Sequence, residues 1–107
     1  MNTPLPQAIA TYFEVTNGAD DQSIENCFTC EAIVRDEGTY EGHQAIRVWL
    51  QGLRRKYALT VQPLRAIQDN ATIKVLALVT GAFPGSPLEL EHRFQLINGL
   101  IQFLDVG

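Results

Sequence analysis

Between residues 31 and 56 the pattern of apolar positions changes its period. In "EAIVRDEGTYEGHQAIRVWL", residues 31 to 50, strand alternation puts Ala32, Val34 and Asp36 on one face and Ile33, Arg35 and Glu37 on the other. If the Ala32 and Val34 face is the core face, the strand ends by aiming a carboxylate inward. A polar turn follows, and then a helix from about 42 to 56. Its apolar stripe is Ala45, Ile46, Trp49, Leu50 and Leu53, with Gln44, Arg47, Gln51, Arg54 and Arg55 outside. Upstream, the spacing of Leu5, Ile9, Tyr12 and Thr16 predicts a helix over 3–17, capped by Thr3, with Pro4 in its first turn and Asn17-Gly18 as its stop. A short second helix, capped by Asp20 or Asp21, buries Ile24, Cys27 and Phe28.

From residue 57 the period is two. Asp69-Asn70, Pro84-Gly85-Ser86-Pro87 and Asn98-Gly99 interrupt it, leaving strands at roughly 57–67, 71–83, 87–97 and 100–106. Asn-Gly between apolar runs is the preferred two-residue hairpin, because both positions must tolerate positive φ. Short turns imply an antiparallel meander, and helices followed by a meander make an α+β arrangement. In "LELEHRFQL", Leu88, Leu90, His92, Phe94 and Leu96 share the inner face, so that face carries one polar group at its midpoint. Strand 71–83 is apolar on both faces, with Ile73, Val75, Ala77 and Val79 opposite Leu76 and Leu78. Helices cover one face of such a strand; a second copy of the chain packing on the sheet would cover the other, so a homodimer is expected.

Composition narrows the picture. The 107 residues suit a single domain spanning 1–107, 46% of them apolar and 19% charged. A net charge of -4 argues against a nucleic-acid partner, and the one basic run, Arg54-Arg55-Lys56, sits where cations complement a helix C-terminus. No stretch approaches 18 consecutive apolar residues, and MNTPLPQ lacks a signal pattern, so a soluble cytoplasmic protein without membrane contact is expected. Cys27 and Cys30 form a C-x-x-C without the preceding strand of a redox unit or the second pair of a zinc site. They read as plain thiols. No Gly-rich phosphate loop, nucleotide fingerprint or metal cluster is present, and the expected cofactor requirement is none.

The helix ending "YFEVTNGADD", the strand-turn-helix "AIVRDEGTYEGHQAIRVWL" and the closing hairpin "FQLINGLIQFLDV" together resemble the nuclear transport factor two-like superfamily. Its members include SnoaL-like polyketide cyclases, ketosteroid isomerases and scytalone dehydratases. The resemblance implies a curved antiparallel sheet wrapped around the N-terminal helices, a cystatin-like cone with a conical pocket at one end. It also implies roles on the pattern of the ketosteroid isomerase-like branch. Tyr12, five residues before the Asn-Gly stop, matches the oxyanion-hole tyrosine, and Asp36 matches the general base. His92 stands where that branch has a protonated acid, and there the chain departs from the branch.

The residues make sense without the resemblance. A carboxylate in a partly apolar pocket becomes a better base near neutral pH, because burial disfavours its charge. A tyrosine hydroxyl donates to a developing oxyanion, and a neutral imidazole donates from one nitrogen and accepts at the other. The expected catalytic set is therefore Asp36, Tyr12 and His92, with Trp49, Phe94, Leu90 and Val34 contacting a small apolar ligand. Each also has a plain structural reading. Tyr12 and His92 can be satisfied core groups, Asp36 a turn residue bonding the backbone near Gly38, and Trp49 and Phe94 core aromatics. Two functions follow. One is a cofactor-independent isomerase, cyclase or dehydratase acting on an apolar oxygenated molecule. The other is a non-catalytic ligand-binding or dimerisation module of the same fold. An open pocket with Asp36, Tyr12 and His92 on its wall favours the first; a sealed interior with Asp36 tied to backbone amides favours the second.

Overall fold

The structure is a computed structural model that describes residues 4–18 and 23–107. Helix α1 spans Gln7–Thr16, not 3–17. Leu5 precedes Pro6, and a residue before proline is driven out of the helical region, so the helix begins only after Pro6 at φ -55 and ψ 150. The proposed caps Thr3, Asp20 and Asp21 lie outside the described residues. Helix α2, Ile24–Cys27, is a single turn, and Phe28 opens strand β1, Phe28–Arg35, instead of closing the helix. The three-residue strand β2, Thr39–Glu41, pairs back on β1 and leads into α3, Gly42–Tyr57. Ala58, in the left-handed region at φ 50, ends that helix, which delays strand β3 to Thr60–Asp69. Strands β4 (Thr72–Thr80), β5 (Leu88–Ile97) and β6 (Leu100–Val106) complete the chain.

The hairpin between β5 and β6 turns at Asn98 and Gly99, both at positive φ (53 and 82), as the Asn-Gly pair demands. The six strands lie in the order β2-β1-β6-β5-β4-β3, and β3 to β6 form the expected antiparallel meander. One pairing departs from a wholly antiparallel sheet: β1 runs parallel to β6, with Val34 beside Leu104 and Arg35 beside Asp105. The chain reaches β6 from β1 through α3 and the whole meander, a crossover that permits parallel pairing as a hairpin does not. Register shifts at Pro63/Arg65 and Gln95/Leu96 bend the strands they interrupt.

The inner face of the sheet receives the helices, with α1 against β3 and β6 and α3 against β1 and β2. Ile73, Val75, Ala77 and Val79 of β4 are buried there, while Leu76 and Leu78 on the opposite face are only partly covered. Two polar clamps fix α1. Asn17 brackets Val61 of β3, donating to its carbonyl (2.8 Å) and accepting from its amide (2.7 Å). Arg54, expected outside, instead donates to the Val15 carbonyl at 3.0 Å and so satisfies the C-terminal turn of a neighbouring helix.

Candidate functional site

At the end of β1 the strand gives way to a tight turn in which the Asp36 amide donates to the Gly38 carbonyl (2.9 Å) and Glu37 adopts φ 61. The Asp36 carboxylate is not tied into that turn. It accepts a hydrogen bond from the indole Nε1 of Trp49 at 3.1 Å, one residue of the apolar stripe of α3. Burial pushes the Asp36 carboxyl above its ordinary value, the Trp49 bond pulls it down, and the charge of Glu37 raises it again.

Tyr12 projects from α1 into a nest of rings, edge-on to Phe13, Phe28 and Phe94 at centroid distances of 5.2 to 5.9 Å. Burial drives its phenol well above the ordinary value, opposed by the Thr16 side chain one turn on and reinforced by the Asp36 charge. The phenol therefore stays a donor. His92, 3% exposed at the midpoint of β5, stacks on Phe94 and meets Phe13 edge-on. Its Nδ1 lies 3.3 Å from the Leu90 carbonyl. A carbonyl only accepts, so Nδ1 carries the hydrogen and the neutral ring leaves its lone pair on Nε2. Burial lowers its pKa to about 4, opposed by that bond and aided by the Arg93 charge, so the ring is neutral at pH 7. In this tautomer Nδ1 is the donating nitrogen of His92 and Nε2 the accepting one.

Asp36, Tyr12 and His92 border one cavity of about 230 Å³. Trp49 and Leu90 line it too. Val34 and Phe94, both fully buried (0%), belong to the core and are not among the residues that line this cavity. Alternation assigns a side chain to a face of the sheet but not to a depth along it, so Phe94 and Leu90 were indistinguishable by parity.

Sequence reasoning missed the part of the lining made by Tyr57, Leu59, Val61, Val79 and Phe83. Gly81 brings that part together. A Cβ there would sit 2.7 Å from the Tyr57 carbonyl, and the next amide, Ala82, donates to the same oxygen at 2.7 Å. Phe83 consequently meets Tyr57 edge-on at 5.9 Å. Gly81, two residues before the aromatic Phe83, was the available signal. Among the described residues no three His, Cys, Asp or Glu side chains group as metal ligands, and no helix is long and apolar enough to cross a membrane. Cys27 is buried, with its thiol pushed up to about 12 by burial, while Cys30 is exposed.

No family model and no curated protein matches the chain. Solved structures do. A proposed polyketide cyclase from Sinorhizobium meliloti is 31% identical over 96% of this chain and 95% of its own, with a TM-score of 0.91. The chain belongs to the nuclear transport factor two-like, SnoaL-like superfamily. More distant solved structures share the fold. One is a ketosteroid isomerase-like protein from Catenulispora acidiphila in complex with trimethylamine (13% identity, 97% and 86% coverage, TM-score 0.83). Another is TerC, co-crystallised with polyporic acid (15% identity, 94% and 88% coverage, TM-score 0.82). Within this SnoaL-like chain, the turn after β1 and the inward face of β5 bring the carboxylate and the imidazole to the same cavity.

Proposed function

We propose that this protein is a single SnoaL-like domain, residues 1–107, that catalyses a cofactor-independent proton transfer on a small apolar oxygenated molecule. The observation that carries the reading is the meeting of Asp36 and Tyr12 on one largely apolar cavity, with the carboxylate held by Trp49 and not by backbone amides. Asp36 takes a proton from carbon beside a carbonyl. Its raised pKa makes it a stronger base than an exposed aspartate, and the Trp49 bond keeps its orientation. Tyr12, a donor held in place by its ring contacts, bonds the oxygen on which charge develops. Isomerisation, cyclisation and dehydration all begin with that step. The likeness to a proposed polyketide cyclase supports an oxygenated substrate. The cavity of about 230 Å³ lies just below the ~300 Å³ at the low end of small-molecule sites, which suits one or two rings. A cytoplasmic homodimer through the outer face of the sheet completes the reading, supported by the partly covered Leu76 and Leu78.

Deuterium exchange at C1 of 2-tetralone in D2O, followed by proton NMR, tests the base. The protein should accelerate exchange, and Asp36→Asn should remove about 10²–10⁴-fold of the acceleration. Exchange equal in the two proteins would discard Asp36 as the base.

A further inference from the structure

The bonding of His92 bears on what the cavity recognises. The ring's Nδ1–H is committed to the Leu90 carbonyl, which leaves Nε2 as a lone-pair acceptor. Among the described residues Nε2 has no hydrogen-bond partner, yet no buried side-chain nitrogen or oxygen is left unsatisfied there. The nitrogen must therefore reach the cavity that His92 lines. Around it stand the rings of Tyr12, Phe13 and Phe94, which offer an imidazolium no counter-charge. Asp36 borders the same cavity. An acceptor in such surroundings is costly to bury unless a donor meets it.

We propose that His92 Nε2 is a specificity-determining acceptor for a hydroxyl of the ligand, so that the substrate class is a ring compound bearing both a hydroxyl and a carbonyl. The carbonyl end follows from the proposed function, on which that half of the statement rests; the hydroxyl end rests on the geometry of His92 alone. Tyr12 and His92, with ring centroids 6.4 Å apart, then present a donor and an acceptor side by side to complementary groups on one small molecule. The site disfavours an analogue that lacks the hydroxyl, because Nε2 then loses one hydrogen bond.

Long-range proton–nitrogen correlation spectra of the 15N-labelled protein test the acceptor directly. The chain has only two histidines, His43 and His92, so the ring is readily assigned. His92 should be protonated on Nδ1 at pH 7. Titration with 2-naphthol should move the Nε2 resonance of His92, and 2-methoxynaphthalene should not. The hydroxyl compound should bind about 3–10-fold more tightly, the worth of one hydrogen bond, and His92→Phe should bring the two compounds within twofold. A purely packing role for His92 would weaken both compounds equally. An Nε2–H or doubly protonated His92 at pH 7, an unmoved Nε2 resonance at millimolar 2-naphthol, or equal affinities in the unsubstituted protein would each overturn the proposal. None of these readings depends on Asp36, whose failure as a base would appear only in the exchange experiment.

Discussion

Replacing Asp36 by asparagine should raise the stability of the folded protein at neutral pH while removing the proposed base. In the unfolded chain the carboxyl titrates near its ordinary value of about 3.9. In the folded protein burial raises it, so the native state holds the proton more tightly. The stability that Asp36 contributes is therefore full below the unfolded value and is lost as pH rises through the folded one. At pH 7 the ionised carboxylate bears its desolvation and the repulsion of Glu37, offset in part by the Trp49 bond. Asparagine has nearly the same shape and no charge, and its amide oxygen still accepts from Trp49. Asp36 is only partly buried, so solvent screening trims the gain to about 0.5–1 kcal/mol. For a chain of this length that is about 2–6 °C in Tm. Thermal unfolding followed by circular dichroism from pH 8 to pH 3 measures it. The advantage should fade toward pH 3, where both states of the original protein carry the neutral acid. A variant less stable at pH 7, or an advantage constant down to pH 3, would refute the reasoning.

Tyr12→Phe keeps the ring contacts with Phe13, Phe28 and Phe94 and deletes one donor, so exchange of the ketone should slow by about 10–10²-fold with the unfolding midpoint nearly unchanged. A rate equal to that of the unsubstituted protein would remove Tyr12 from the oxyanion role. Of the two thiols, exposed Cys30 should react with a disulfide reagent at pH 8 within minutes, and Cys27 only on unfolding, since burial pushes its thiol up to about 12. Cys30→Ser should leave stability within about 0.5 kcal/mol; fast labelling of both thiols would contradict the burial of Cys27. Light scattering at micromolar concentration should return twice the chain mass, and introducing charge with Leu76→Glu on the outer face should return the mass of one chain. A monomer across dilution would rule out the dimer.

What the sequence determined by itself was local. The alternation through "LELEHRFQL" placed His92 on the inner face, the stripe on α3 placed Trp49 inward, and Asn98-Gly99 set a hairpin with two positive φ angles. Each depends on the period of one element or the steric tolerance of one turn, which neighbouring residues specify. Proline chemistry was equally local, and Pro6 shortened α1 for a reason visible in the chain. The tertiary structure decided whatever required two distant segments to meet. The parallel pairing of β1 with β6 carried Asp36 to the cavity end of the sheet, and Trp49 came to bond its carboxylate. Gly81 let the β4–β5 connection close on Tyr57, and Leu90 came to the wall while Phe94 stayed in the core. Which nitrogen of His92 donates and which accepts turned on one carbonyl two residues away. Strand parity says which face a side chain takes; how deep it lies, and which partner claims each of its polar atoms, depends on packing against elements far along the chain.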